Sequence, residues 1–194
     1  DGSMARLPDL LKFSKKHGIK IGTIADLIEY RSKKEKLIEK ISEEKINTEF
    51  GTMNFILYSD LLSKNTHLAL VKGNIEKDDE ILVRVHEPLS ILDFISKETP
   101  HSWPPLKALK AINNEEKGVV IFLNYNESQN NITSKFNHKN IALKKSTDLR
   151  SYGIGSQILV DIGVSKMKLL AAPRKMPSMT GYGLQVTEFI ENNM

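Results

Sequence analysis

Cysteine is absent from the 194 residues of the chain. Disulfides, thiolate metal sites and a cysteine nucleophile are thereby excluded. No apolar run approaches the ~20 residues that a membrane-spanning helix needs. The opening DGSMARLPDL lacks the apolar centre of a signal peptide. Excess charge of one sign is lacking too: 28 basic residues stand against 24 acidic ones, a net of +4. Balance of that kind favours solubility and gives at most a weak pull on phosphate. A cytoplasmic protein that binds neither nucleic acid nor membrane is expected.

What is there suffices for one ordinary domain with an appendage, since 40% of the residues are hydrophobic. Residues 1–31 read as loop, helix, turn, helix. Pro8 suits a first helical turn, and the stripe Leu10, Leu11, Phe13 stops at Gly18, a C-terminal cap. Thr23 and Asp26 have capping-box spacing before IADLIEYR. The charged stretch SKKEKLIEKISEEK (32–45) keeps Leu37, Ile38 and Ile41 on one narrow stripe, which predicts a solvated linker helix.

After Ile46 the character turns to strands. TEFGTMNFILYS has Gly51 at a turn, and HLALVKG (67–73) and ILVRVHE (81–87) follow. PPLKALKAINNEEKG starts on prolines, places Leu106, Leu109 and Ile112 on one face and ends at Gly118, as a helix should. VVIFLNY (119–125) has the continuous apolar character of a buried strand. Beyond a long polar loop, DLRSYGIGSQILVDIGV reads as a helix with Ile154, Ile158 and Ile162 inward. KMKLLAA and GLQVTEFI then read as strands. The expected class is α+β, with mixed α/β layers.

Three clusters could carry chemistry. Alternate side chains of a strand share a face, so Arg84 and His86 point the same way, roughly 6.5–7 Å apart. An arginine fork suits phosphate, and a neighbouring histidine could shuttle a proton. Spacing alone nevertheless favours an exposed sheet face or a salt bridge. Asp148 and Arg150 stand where the YGIGSQIL helix begins, and capping accounts for the first of them. Arg174 and Lys175 follow the strand KMKLL, and ligands in open α/β sheets gather at the carboxyl ends of strands. Surface basic residues need no such purpose. The five histidines (17, 67, 86, 101, 138) show no ligand spacing.

Taken in order, HLALVKGNI, ILVRVH, a helix, GVVIFL, DLRSYGIGSQILVDIGVSKMKLL, PRK and GYGLQV follow one another in a way that resembles GTP cyclohydrolase II over about residues 46–190. The first segment resembles the C-terminal end of 3,4-dihydroxy-2-butanone 4-phosphate synthase. The combined resemblance implies the C-terminal part of a bifunctional bacterial riboflavin-biosynthesis protein. Its parts would be a synthase end at 1–31, the linker at 32–45 and a cyclohydrolase-like domain at 46–194.

The resembled family opens the imidazole ring of GTP with zinc-activated water, the zinc being held by three cysteines. Leu89, Pro100 and Ser102 stand at those positions here, so no zinc or other cofactor is expected. Asn124 to Ser128 replace the family's purine- and phosphate-reading run. The resemblance leaves Asp148 as proton acceptor and Arg150 as nucleophile, both vestigial, with Arg84, Val85, His86 and Lys175 for nucleotide or phosphate. The resulting expectation is a pseudoenzyme: a degenerate cyclohydrolase-like domain serving as scaffold, dimerisation or regulatory domain for its own fused synthase domain, in a homodimer. The alternatives are a nucleotide- or phosphate-binding regulator and an active cyclohydrolase with a non-standard metal site.

Overall fold

The computed structural model describes residues 2–87, 92–95, 103–124, 149–174 and 179–192. Helix α1 spans Leu7–His17 with proline in its first turn, and Gly18 closes it in the left-handed conformation at φ 64°. That conformation suits glycine, and the Gly18 N–H caps the Ser14 carbonyl. Helix α2 spans Ile24–Lys34 behind the expected capping box: the Asp26 N–H donates to Thr23 Oγ1, and the Thr23 N–H donates to Asp26 Oδ2. The α1 start was legible because proline suits a first helical turn, and the α2 start because short polar side chains satisfy orphan amides at fixed spacing.

The linker helix expected over 32–45 is not there. Helix α2 ends at Lys34, and Ile38–Thr48 is strand β1, antiparallel to β2 (Gly51–Asp60). A bulge between Lys40 and Ser42 shifts the register by one residue. Ile38 is buried and, beyond the bulge, Ser42 and Ile46 are half-buried, while Ile41 is exposed. The four-residue spacing that imitates a helix is an interrupted strand alternation. Pairing with the apolar β2 overrides the helix propensity of the Lys and Glu residues.

Strands β3 (Thr66–Lys72), β4 (Glu80–His86), β5 (Gly118–Phe122), β6 (Lys166–Leu170) and β7 (Gln185–Ile190) complete a seven-stranded sheet in the order β1-β2-β3-β5-β4-β6-β7. Pairing is antiparallel from β1 through to β5, and parallel across β5, β4, β6 and β7. Parallel neighbours require crossovers, and two helices serve them. Helix α4 (Pro105–Asn113) lies between β4 and β5 in the chain, and α5 (Leu149–Ile162) between β5 and β6. A four-residue helix α3 (Leu92–Ile95) and a 3-10 turn (Thr180–Tyr182) are the remaining elements.

The two helices cover opposite faces. Val83, Val119 and Ile121 pack with Ile154, Ile158 and Leu159 of α5. Leu82, Val120 and Phe122 pack with Ala108, Leu109 and Ile112 of α4. Burial on both faces explains why β5 has no alternation. Pro105 rather than Leu106 joins the inward stripe of α4, and Leu106 is exposed. The architecture is mixed α/β, consistent with the expected α+β class. Among the described residues no helix is long and apolar enough to cross a membrane.

Candidate anion site at the carboxyl ends of the parallel strands

Strand alternation puts Leu82, Arg84 and His86 on the face that α4 covers, and Val83 and Val85 on the face that α5 covers. Arg84 is accordingly buried, with 5% of its surface exposed. Its Nη1 donates to the Leu170 carbonyl, at the end of β6, at 2.8 Å. Its Nε has no hydrogen-bond partner among the described residues. A buried guanidinium whose Nε lacks an acceptor among the described residues is under-satisfied there. Burial, and then repulsion from Arg174, pulls its pKa down to about 10, and attraction to Asp93 offsets a part of that.

Arg174 leaves β6 on the same end of the sheet. Its guanidinium carbon lies 5.5 Å from the ring centroid of Tyr152, in the first turns of α5. Two arginines thus face one region at the carboxyl ends of β4 and β6. The start of α5 lies close by: a Cβ on Gly155 would stand 3.5 Å from Val85 and 3.6 Å from Leu123.

His86 is paired with an acid. Its Nε2 lies 2.9 Å from Asp93 Oδ2, and both side chains are almost fully buried. The pair pins α3 to the end of β4, and Phe122 and Phe94 stack beside it. With Asp93 ionised, Nε2 carries the proton. His67 lies on the opposite face of the sheet, its Nδ1 accepting from the Asn124 N–H at 3.2 Å, as a core histidine.

Of the residues singled out in the sequence, Arg84, Val85 and His86 are brought to one strand end. Val85 faces α5 and offers no polar group. Arg150 belongs to the first turn of α5, but its side chain, with Asp148, Lys175, Leu89, Pro100 and Ser102, lies outside the described residues. Asp93 and Tyr152 were missed. Asp93 lies seven residues beyond His86, and only the fold of α3 back over β4 makes that spacing meaningful. For zinc the donor set is unsuitable on its chemistry, because leucine and proline offer no ligand atom. Among the described residues no group of three histidine or acidic side chains could hold a metal.

Residues 39–191 match the family model of GTP cyclohydrolase II. The chain is 46% identical over 191 residues to a 3,4-dihydroxy-2-butanone 4-phosphate synthase of Neisseria meningitidis serogroup B, covering 98% of this chain and 53% of that protein. It is 39% identical over 203 residues to the riboflavin biosynthesis protein RibBA of Aquifex aeolicus, covering 97% and 50%. Among solved structures, RibBX, a two-domain 3,4-dihydroxy-2-butanone 4-phosphate synthase from A. baumannii, superposes with a TM-score of 0.65 at 34% identity, covering 99% and 52%. The chain spans about half the length of the curated relatives it matches.

These matches correct two expectations. The expected C-terminal part of a bifunctional synthase–cyclohydrolase is overturned, because proteins named 3,4-dihydroxy-2-butanone 4-phosphate synthase align with nearly all of this chain at up to 46% identity. The cyclohydrolase match is a region inside such proteins. The expected pseudoenzyme scaffold or regulator, partnered with its own separate synthase domain, falls on the same finding. By residues 39–191, the chain belongs to the GTP cyclohydrolase II family.

Proposed function

We propose that the chain works in a 3,4-dihydroxy-2-butanone 4-phosphate synthase of riboflavin biosynthesis, and that the Arg84–Arg174 end of the sheet holds a phosphate ester. The observation that carries the reading is 46% identity to a synthase over 98% of the chain. The named product is a phosphate monoester, and an arginine pair is suited to that dianion. The site is consistent with it: a dianion supplies the acceptor that Arg84 Nε lacks among the described residues, and relieves the repulsion between the two arginines. By the family resemblance Arg150 and Lys175 are further candidates for the phosphate, and Asp148 is a candidate proton acceptor. The active assembly is a homodimer.

The test is calorimetric titration with ribulose 5-phosphate and with GTP, alongside assay for 3,4-dihydroxy-2-butanone 4-phosphate by phosphorus NMR. Binding of the sugar phosphate and product formation are expected, both weakened in Arg84→Met. A folded protein that forms no product rejects the synthase reading. Product formed by Arg84→Met with an unchanged KM rejects the anion site.

A further inference from the structure

The α2–β1 junction is held by one side chain from far along the sequence. Gln157 of α5 accepts the Leu37 N–H on Oε1 at 2.8 Å, and its Nε2 donates to the Glu35 carbonyl at 2.8 Å. Both faces of the amide are used, and both partners are backbone groups. Glu35 is the C-terminal cap of α2, and Ile38 starts β1, so the clasp closes on the residues between the two elements. The Leu37 carbonyl in turn accepts from the Leu61 N–H, which ties the junction to the end of β2.

A second contact lies one turn earlier on α5. A Cβ on Gly153 would stand 2.9 Å from the Tyr182 hydroxyl and 3.6 Å from Leu37 Cδ1. The missing side chain lets the 3-10 turn and the junction close on the helix together. Tyr182 is also near enough to α2 for the Arg31–Glu35 pair to act on its phenol, although burial is the larger influence and raises its pKa. Helix α1 buries no residue, so its placement cannot come from an apolar face of its own.

We infer that Gln157 is a positioning residue that sets how the helical segment 7–34 sits on the sheet, through a clasp on the Glu35 carbonyl and the Leu37 amide. Tyr152, under the Arg174 guanidinium, is on the same helix five residues earlier, roughly 7.5 Å along its axis. The N-terminal helices and the start of α5 are therefore tied through one rigid element. Because the clasp reads only backbone, it fixes geometry whatever side chains occupy 35–37.

Hydrogen–deuterium exchange of the whole chain tests this in wild type, Gln157→Leu and Gln157→Glu. Gln157→Leu removes both bonds at similar volume. Gln157→Glu keeps an acceptor for the Leu37 N–H and loses the donor to Glu35. About tenfold faster exchange is expected in Gln157→Leu for peptides over 24–38, with those over β4 and β5 unchanged, since local opening is separable from global unfolding. Gln157→Glu should leave the Leu37 amide slower than Gln157→Leu does, and it carries the test if Gln157→Leu does not fold. Unchanged exchange over 24–38 in either variant overturns the inference. So does a uniform rise that includes β4 and β5, which would make Gln157 an ordinary stabilising residue.

Discussion

Replacing Arg84 with methionine should make the protein more stable while weakening its hold on phosphate. Burial, the Arg174 charge and the partly compensating Asp93 together bring Arg84 down to about 10, well below arginine in water. That difference corresponds to about 3 kcal/mol of cost carried by the protonated group in the fold. Methionine keeps much of the apolar stem and removes the cation. The substitution also gives up the bond to the Leu170 carbonyl, worth ~1–2 kcal/mol. The net expectation is a gain of about 1–2 kcal/mol, or roughly 3–6 °C in Tm for a chain of this size.

The sign with pH follows from a base whose folded pKa is lowered. Below about 10 both states are protonated and the full cost is present; above it the folded state sheds the proton first and the cost fades. The advantage of Arg84→Met should therefore be level from pH 6 to 9 and shrink beyond that range. Chemical denaturation at fixed pH, with and without inorganic phosphate, measures both parts. Phosphate should stabilise the wild type, because it binds only the folded state, and leave Arg84→Met unmoved. A variant more than about 1 kcal/mol less stable than wild type at pH 8 would show that Arg84 is a satisfied structural residue, and the reasoning would fail.

Further expectations concern packing and charge pairs elsewhere in the fold. Gly118→Ala places a Cβ 2.9 Å from Ile112 Cγ2 and 3.0 Å from the Leu82 carbonyl, so denaturant titration should show a loss of about 1–3 kcal/mol. Gly155→Ala meets only ordinary contacts at 3.5 and 3.6 Å, and the same titration should show a gain of about 0.5–1 kcal/mol from helix propensity. Tyr58→Phe removes the 2.8 Å bond from the buried phenol to Asp161 Oδ2 and should cost about 1 kcal/mol in thermal unfolding. Lys117 holds the Asp79 carboxylate below its usual range. Its stabilisation is present above about pH 4 and lost as pH falls through the lower folded value, so Asp79→Asn should flatten the acid limb of the stability profile.

The parts of the fold that were legible are those in which local chemistry and tertiary demand agree. The capping pair Thr23 and Asp26, the left-handed Gly18, and the apolar β5 all specify themselves within a few residues. Strand β1 was illegible because a one-residue bulge disguises its alternation, and because its partner, not its composition, makes it a strand. At the site, the shared face of Arg84 and His86 followed from strand geometry alone. Their separate fates did not follow. The pairing of His86 depends on where Asp93 is brought by the turn of α3, and short-range pattern does not encode that. Tyr152 was hidden in the same way, since its partner Arg174 is more than twenty residues away and meets it only across the end of β6.

Strand β1 borders the sheet, and Glu39, Lys40, Glu43, Glu44 and Lys45 are all exposed along it. A kinked rim studded with ionised groups is a poor template for a further chain. Growth into fibrils by adding strands there is discouraged. A pair of these molecules would have to meet through flanks or helices, leaving that margin open to water.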